Sequence, residues 1–371
     1  MPKQGEDRMT QQQSFLAHEK KRQAEAKKNR DLFSSAAQPD GPYSSPSEKH
    51  PEPPLYPFCL PLDAASENLY LGVRDQVARF QAAGVPWHKG IKKAPTTHLC
   101  SSQVCCVNFL APFATRVAAL LTLVQSVFPE AVAMVPVAPD GDQYVEFEWI
   151  GDPTQPYLDE QGKSGKRTRG ANCTSADAAV RYRAANDGEH VVLIEWKYCE
   201  SYPDLDHISP ERRLLAKKGG HPTPAADTRR ARYEHRLPGV VALPATVTFD
   251  DLCVEPLYQL MRQQLLAREM EAAGEAESVS VLHLSPRANH DFPAITSPAL
   301  REWAHSHLPK EKGTVLAAWA ACVKRPGLFR SEAVEDFFAS PLAADDENPQ
   351  EWRTYICARY SWADPLSKNA G

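Results

Sequence analysis

Two acidic residues and a lysine near the middle of the chain have the types and spacing of a hydrolytic site. Asp177 precedes a short apolar run, while Glu195 and Lys197 end the run that begins at Val191. Side chains alternate along a strand, so Glu195 and Lys197 point to one side and Trp196 points to the other. Burying such charges is costly unless they face a cleft, a metal or a partner. We therefore expect the three residues to share one site.

The two carboxylates predict a site for a divalent cation. Asp177 and Glu195 would repel each other if they were held close together, and a bound cation would relieve that repulsion. Ligand sets made only of oxygen favour Mg²⁺ or Mn²⁺ over zinc. Lys197 would then orient or activate an attacking water and neutralise charge developing on a phosphate. A structural salt bridge at a strand end is the alternative and stays open at this stage.

The elements that must position these residues indicate an α/β fold. Alternating or continuous apolar residues predict strands at 144–150, 178–182, 191–198 and 279–284, and helical spacing predicts helices at 68–83, 101–127 and 255–271. Asn186-Asp187-Gly188 predicts a turn that joins the second and third strands into a hairpin. The order from residue 101 is helix, three strands, helix and strand (αβββαβ), which predicts a mixed central sheet flanked by helices.

Composition divides the chain into three parts. Residues 1–56 are rich in Lys, Arg, Pro and Ser, which predicts a disordered basic tail and linker, either without a role or in contact with phosphates. Residues 57–295 form the main domain, with an insertion at about 202–245. Residues 296–371 are expected to be a mainly helical C-terminal extension packed on the core, with helices at 299–307, 314–323 and 332–339. Residues 353–360 fit a helix or a strand.

Charge, cysteines and hydropathy exclude several classes of protein. The 371 residues carry a net charge of −5, so any nucleic-acid surface must be local. Nine scattered cysteines without zinc-site spacing indicate buried free thiols in a reduced, cytoplasmic setting. No stretch approaches the roughly 18 to 20 apolar residues that a membrane span requires. We expect a soluble protein that does not bind a membrane.

The segments around the three charged residues resemble a known nuclease superfamily. The runs Cys173-Thr-Ser-Ala-Asp177 and Val192-Leu-Ile-Glu195-Trp-Lys197 are similar to those of a bacterial, restriction-endonuclease-like branch of the PD-(D/E)XK superfamily. The likeness extends over roughly residues 58–295. Ala176 stands where the superfamily often has proline. The resemblance implies a metal-dependent nuclease core with a restriction-endonuclease-like fold, Asp177 and Glu195 as metal ligands, and Lys197 as the catalytic lysine.

Several further residues are candidates for the same site. Glu148, on the first predicted strand, is the candidate for an additional acidic ligand, although a solvent-facing glutamate fits as well. The supporting candidates, each with a purely structural alternative, are Gln103, Asn108, Gln259 and Arg262. Basic residues on both sides of the motif would contact the phosphates of a polyanionic substrate, unless they simply form solvated loops: Lys163, Lys166, Arg167, Arg169, Arg212, Arg213, Arg229 and Arg230.

The sequence thus predicts Mg²⁺- or Mn²⁺-dependent hydrolysis of phosphodiester bonds. The resemblance brings no known substrate, so DNA rather than RNA is an inference. Restriction, repair and defence are the roles that such an activity would serve. A catalytically silent nucleic-acid-binding module on the same fold is one alternative, and a structural ion-pair cluster without a nucleic-acid role is another. Cleavage of both strands of DNA would favour a homodimer.

Overall fold

A six-stranded mixed sheet forms the centre of the protein in the computed structural model. The structure describes residues 14–82, 84–88, 90, 94–138, 141–161, 165, 167–169, 173–202, 224–339 and 349–367. The strands of this sheet are β3 Ala131–Val135, β4 Glu146–Trp149, β5 Ala176–Ala184, β6 Glu189–Trp196, β7 Ser278–Ser285 and β8 Phe329–Ala333. A separate two-stranded sheet near the N-terminus pairs β1 Gly41–Pro42 with β2 Leu55–Tyr56.

The sheet combines antiparallel and parallel pairs. β5 pairs antiparallel with β3, β4 and β6, while β6, β7 and β8 run parallel to one another. β6 therefore lies in the interior of the sheet, with β5 paired on one side of it and β7 paired on the other. The four strands predicted from periodicity are all present. β3 and β8 were not predicted.

Helices cover both faces of the sheet. They are α1 Phe15–Lys27, α2 Arg74–Ala82, α3 Ser102–Leu110, α4 Val117–Gln125, α5 Pro224–Tyr233, α6 Leu257–Ala272, α7 Pro298–His307, α8 Val315–Cys322, α9 Val334–Phe337 and α10 Pro349–Arg359. Alternate residues of β6 enter two different cores. Ile194 packs with α3 and α4, whereas Leu193 packs with α6. A strand buried on both faces needs a continuous apolar run, which explains the sequence Val-Val-Leu-Ile.

The N-terminal segment differs from the predicted disordered tail. α1 is ordered, and its residues Glu19, Gln23 and Lys27 are buried against the rest of the molecule. Gln23 donates to the carbonyl of Arg359 over 3.1 Å, and Tyr198 donates to Glu19 over 2.6 Å. These partners lie far away in the sequence, so composition alone could not predict that the helix docks.

The predicted boundary at residue 295 does not separate two structural units. β8 adds a strand to the central sheet beside β7, and only the short α9 follows where a helix at 332–339 was expected. The polar sequence of β8 suits the exposed edge of a sheet, which hides it from a search for apolar alternation. α10 confirms the helical alternative for the segment near 353–360, and its Trp352 packs in the core with Phe109.

Within the residues that the structure describes, no single helix is both long and apolar enough to cross a membrane. The segments Ser102–Phe113 and Val117–Gln125 pass such a test only as a pair, and they meet at a bend of 117°. Both contribute buried side chains to the core beside the sheet.

Candidate active site

The β5–β6 hairpin brings the two predicted carboxylates together. Ala178 of β5 pairs with Ile194 of β6, so Asp177 and Glu195 are the next residues on the two strands. The tight turn that sets this register includes Asp187 in a left-handed conformation with φ of 65°. The backbone N–H of Lys197 donates to Leu284 over 2.8 Å, which extends the contact with β7 beyond the end of β6. Two neighbouring strands therefore fix the end of β6.

Asp177 lies half-buried at the mouth of the hairpin. Its Oδ2 accepts a hydrogen bond of 2.8 Å from the backbone N–H of Trp196. Burial raises the pKa of this carboxyl above its usual range, although Lys197 and the Trp196 N–H act in the opposite direction. Asp177 is thus held rigidly in a place where its negative charge is poorly compensated.

Glu195 and Lys197 point to the same side of β6, as the alternation of side chains predicts. The ammonium of Lys197 donates to Oε1 of Glu195, and the amide of Gln263 from α6 donates to Oε2. Burial, followed by the charge of Asp177, raises the pKa of Glu195. Burial acts to lower the pKa of Lys197, but the neighbouring Glu195 and Asp177 outweigh it, so the pKa of Lys197 is raised. Lys197 therefore stays protonated.

Glu148 joins the site through an unusual backbone conformation. Phe147 pairs with Ala178 and Trp149 pairs with Ala176, which places Glu148 level with Asp177 across the β4–β5 pair. Its φ is +50°, a left-handed conformation that costs a non-glycine residue of the order of 1–3 kcal/mol. Such strain is concentrated at functional sites in proteins. Glu148 lies on the strand that the sequence predicts, but its backbone departs from regular strand geometry.

The carboxylate of Glu148 is tied to the site by two side chains. It accepts a hydrogen bond of 2.8 Å from the amide of Gln103 and one of 3.1 Å from the hydroxyl of Ser175. Burial, followed by the charge of Asp177, raises the pKa of Glu148 to about 7. Glu146, two residues earlier, instead pairs with Arg169 over 3.1 Å. The two glutamates of β4 thus have different environments.

Negative charge is in excess at this end of the hairpin. Fully ionised, the three carboxylates of Glu148, Asp177 and Glu195 carry −3, and the ammonium of Lys197 returns +1, which leaves −2. Burial is the largest cause of the raised pKa of all three acids, and the charge of Asp177 adds to it at Glu148 and Glu195. A divalent cation would cancel the excess negative charge.

The donor set fits magnesium chemically. All candidate ligands are oxygens, and Mg²⁺ typically takes one or two protein carboxylates and completes its shell with water and substrate phosphates. Over the part of the chain that the structure describes, no three His, Cys, Asp or Glu side chains already converge with ligand geometry. A site for Mg²⁺ would draw on Asp177 and Glu195, with Glu148 as a further ligand, and Glu195 would exchange a contact with Lys197 or Gln263 for the cation.

An open cleft of about 510 Å³ leads to Glu148, Asp177 and Lys197, whereas Glu195 is 1% exposed and is not among the residues that line it. Glu148, Asp177 and Lys197 line its floor, together with Gln103 and Gln259. The 510 Å³ leave room for a phosphate group and several waters beside the charged residues. The cleft therefore gives a substrate access to the hairpin.

The four supporting candidates have different positions. Gln103 contacts Glu148, and its Oε1 accepts from the backbone N–H of His88 over 2.8 Å. Gln259 lines the cleft. Arg262 donates instead to the hydroxyl of Thr174 over 2.9 Å, which braces the strand just before Asp177. Asn108 lies away from the cleft.

Asn108 is a buried structural amide. It accepts from the backbone N–H of Tyr70 over 2.8 Å and donates to the carbonyl of Asn68 and the hydroxyl of Tyr360. These bonds tie α3 to the segment before α2 and to the C-terminal helix. Its predicted place in the cleft is therefore wrong, because all its hydrogen-bonding capacity serves the core.

The predicted phosphate-contacting residues fall into two groups. Lys163, Lys166, Arg212 and Arg213 lie outside the described residues. Arg167 is buried, and its guanidinium donates to the carbonyls of Ile150 and Thr174, a structural role that leaves it no access to a phosphate.

The other three described arginines are held by protein groups. Arg169 pairs with Glu146, and Arg230 pairs with Glu234 over 2.9 Å and with Asp250. Arg229 lies over the ring of Tyr258 at 4.8 Å. Phosphate contacts by these arginines therefore compete with partners that the protein itself supplies.

Sequence reasoning missed Gln263, which contacts Glu195 directly. The signal was present, because Gln259 and Gln263 are four residues apart and share one face of α6. It also missed the link from the N-terminus. Tyr198, the residue after Lys197, donates to Glu19 and accepts from Gln23 over 3.0 Å, so α1 supports the segment that follows β6.

The comparisons with known proteins give one match. The family described as Restriction Endonuclease associating with ARP matches residues 11–360, which includes α1, the cleft and the C-terminal helix. No curated protein and no solved structure matches the chain. Because the match spans nearly the whole sequence and contains the hairpin, the chain belongs to this restriction-endonuclease-like family.

Proposed function

We propose that this protein is a metal-dependent nuclease of the PD-(D/E)XK type that hydrolyses phosphodiester bonds in DNA. The excess of buried carboxylate at the open end of the β5–β6 hairpin carries the proposal. A protein that needed only a structural ion pair would match one acid to one base, whereas three acids here face one lysine. Membership of a restriction-endonuclease-like family indicates a nuclease-like role and supports the same conclusion.

Asp177 and Glu195 would hold Mg²⁺ or Mn²⁺, with Glu148 as a further ligand. The cation supplies Lewis-acid stabilisation of a phosphoryl oxygen when it is bound. Binding at Glu195 requires one of its oxygens to leave Lys197 or Gln263. Lys197 would then be released to turn its ammonium towards the substrate in the cleft.

Lys197 would act as a cation and as a hydrogen-bond donor. While it is paired with Glu195 its raised pKa keeps it protonated, and as a cation it would neutralise charge that develops on the phosphate and orient a water. A nearby carboxylate would take the proton from the attacking water. Glu148, with a pKa of about 7, is well placed for that role whenever it is not coordinating the cation.

The silent nucleic-acid-binding module is the second candidate, and one observation favours it. Both oxygens of Glu195 are already satisfied by protein donors, as in a closed structural network. On that view Lys197 and Gln263 replace the cation permanently. The protein would bind nucleic acid without cutting it.

Cleavage assays separate the two candidates. The wild type is incubated with linear duplex, circular and single-stranded DNA and with RNA, in Mg²⁺, in Mn²⁺ and in EDTA. Metal-dependent cutting of DNA that is lost in Glu195→Gln and Glu148→Gln supports the nuclease. Glu146→Gln is the matched control, because it changes a glutamate of the same strand that pairs with Arg169 outside the site.

Three outcomes would contradict or redirect the proposal. Binding of DNA without cutting by a folded wild type favours the silent module. Cutting that survives in EDTA or in Glu195→Gln places the chemistry elsewhere. Cutting of RNA alone changes the substrate class, and the mass of the active species in solution shows whether a homodimer is involved.

A further inference from the structure

A row of aromatic side chains leads from the cleft along the N-terminal part of the molecule. Tyr43 and His98 line the same cleft as Asp177 and Lys197. Tyr43 directly follows β1, and β1 is held beside β2 by the pairing of Gly41 with Tyr56. Tyr43 therefore lies at one wall of the candidate active site, and the small β1–β2 sheet lies next to it.

Four aromatic rings form a chain of pairwise contacts that begins at this wall. The centroids of Tyr43 and His98 lie 4.8 Å apart, and those of His98 and Phe58 lie 5.4 Å apart, both with edge-to-face geometry. Phe58 stacks on Tyr56 at 5.2 Å with an interplanar angle of 26°. We call Tyr43, His98, Phe58 and Tyr56 the aromatic row.

The row is more exposed than a structural aromatic cluster would be. Tyr43 is 36% exposed, Tyr56 and Phe58 are half-buried, and only His98 is buried. The neighbouring Leu55 is 61% exposed. The described residues contain four exposed large hydrophobic side chains, and Tyr43 and Leu55 are two of them. Apolar surface concentrated beside a cleft marks a place where a ligand binds.

Positive charge accompanies the rings. The ammonium of Lys20, on α1, lies 4.8 Å from the centroid of Phe58. The next two residues of the helix, Lys21 and Arg22, are exposed but face other directions, and Nε of Arg22 donates to Ser361 over 3.0 Å. Aromatic faces interleaved with cations match the chemistry of unpaired nucleic-acid strands, whose bases stack on rings while their phosphates contact lysine and arginine. A paired duplex hides its base faces and cannot use such a surface.

We propose that the aromatic row binds unpaired bases of single-stranded DNA and guides that strand into the cleft towards Lys197. The inference rests on the proposed nuclease function and specifies its substrate as a strand with unstacked bases, such as a frayed end, a gap or a single-stranded tail. Tyr43 and His98, at one end of the row, line the same cleft as Asp177 and Lys197, while Phe58 and Tyr56 continue the row away from it.

Binding measured without cleavage tests the row. Fluorescence anisotropy in EDTA follows the full chain binding to labelled oligo(dT), to a duplex of the same length and to oligo(U). Tyr43→Ala and Tyr56→Ala should each weaken binding to oligo(dT) by about tenfold and binding to the duplex by less than about twofold. Tyr43→Phe keeps the ring and should bind as the wild type does.

A matched control and a folding check complete the design. Trp303→Ala removes an aromatic residue that stacks on His307 over 5.5 Å on α7, and it should leave binding to oligo(dT) unchanged. Thermal unfolding of each variant identifies any that fails to fold. If Tyr43→Ala does not fold, the affinity of Tyr56→Ala for oligo(dT) tests the row independently.

The results that would contradict base binding by the aromatic row differ from those that would contradict the proposed nuclease activity. Equal losses on oligo(dT) and duplex, unchanged binding in both Ala variants, a preference for oligo(U), or no binding to oligo(dT) by the wild type would each refute the row. Cutting of DNA by a Tyr43→Ala protein with wild-type affinity leaves the nuclease standing without the row. Selective loss of oligo(dT) binding in a protein that never cuts leaves the row standing without the nuclease.

Discussion

Two buried charged clusters of this molecule have opposite designs. Arg359 is 1% exposed and donates to the carbonyls of Asn68 and Leu99, to the side chain of Asn68 and to the hydroxyl of Tyr355. Its guanidinium also lies near the rings of Phe33, Tyr355 and Tyr360. Glu195 is equally buried but lies among other acids.

The difference separates a buried charge that the fold itself compensates from buried charges that the proposed function would use. Neutral acceptors and aromatic faces that the protein supplies itself surround Arg359 and take up four of its hydrogen bonds, so that of its buried nitrogens only Nε lacks a partner. The acids around Glu195 outnumber their one cation and open into a cleft, so the folded protein lacks a positive charge at that place. A buried charge that the fold satisfies is structural, and a surplus of like charge indicates a ligand.

The largest effect on stability is expected at the satisfied cluster. Arg359→Met keeps an apolar stem of similar length but leaves the side-chain oxygen of Asn68, the carbonyl of Leu99 and the hydroxyl of Tyr355 without their donor. Each unpaired buried group costs about 1–3 kcal/mol, so the free energy of unfolding should fall by at least about 3 kcal/mol. Urea denaturation measures this change, and a loss below about 1 kcal/mol would contradict a structural role.

The largest effect on activity is expected at the unsatisfied cluster. Lys197→Met removes the one cation that faces the phosphate and should lower the rate of DNA cleavage by about 10²–10³-fold. Its free energy of unfolding should change less than that of Arg359→Met, because the acids it leaves behind can take up protons. Cleavage rates and urea denaturation on the same preparations make the comparison. Cleavage of DNA by Lys197→Met at the wild-type rate would show that Lys197 takes no part in the reaction.

A smaller effect concerns the pH dependence of stability in the absence of metal. Burial and Asp177 raise the pKa of Glu148 from 4.5 to about 7, so the folded state binds this proton more tightly than the unfolded state does. The stability it contributes is full below pH 4.5 and is lost as the pH rises through about 7. In EDTA, the unfolding temperature should therefore decline over this window.

Glu148→Gln isolates that contribution. The variant cannot titrate at this position, so its unfolding temperature should decline by a few degrees less than that of the wild type between about pH 5 and pH 8. Glu146→Gln, in which the salt bridge to Arg169 is lost instead, should retain the wild-type slope. Identical slopes in all three proteins would mean that Glu148 is not held among uncompensated charges.

The sequence predicts the unsatisfied cluster better than the satisfied one, and the reason is physical. Asp177, Glu195 and Lys197 lie on two strands joined by a short turn, so alternation along the chain is enough to bring them together. Arg359, Asn68 and Tyr355 meet only after helices from opposite ends of the chain have packed, and no local periodicity encodes such a contact. The misplacement of Asn108 in the cleft has the same origin.

The remaining errors also concern contacts distant in sequence. α1 is polar along most of its length, and its burial depends on Tyr198 and the carbonyl of Arg359. β8 is a polar edge strand that β7 recruits through parallel pairing. Glu148 was a correct candidate for the cluster, but its left-handed backbone follows from the β4–β5 pairing and leaves no trace in the sequence.

The most direct test of the central claim is to measure Mn²⁺ binding by titration calorimetry, because it does not depend on knowing the substrate. The wild type should bind the cation and release protons, since carboxyls with raised pKa values must ionise to coordinate it. Asp177→Asn and Glu195→Gln should lose this binding, while Glu146→Gln should keep it. Absence of binding by the wild type, or equal binding by all four proteins, would contradict a cation site at the hairpin.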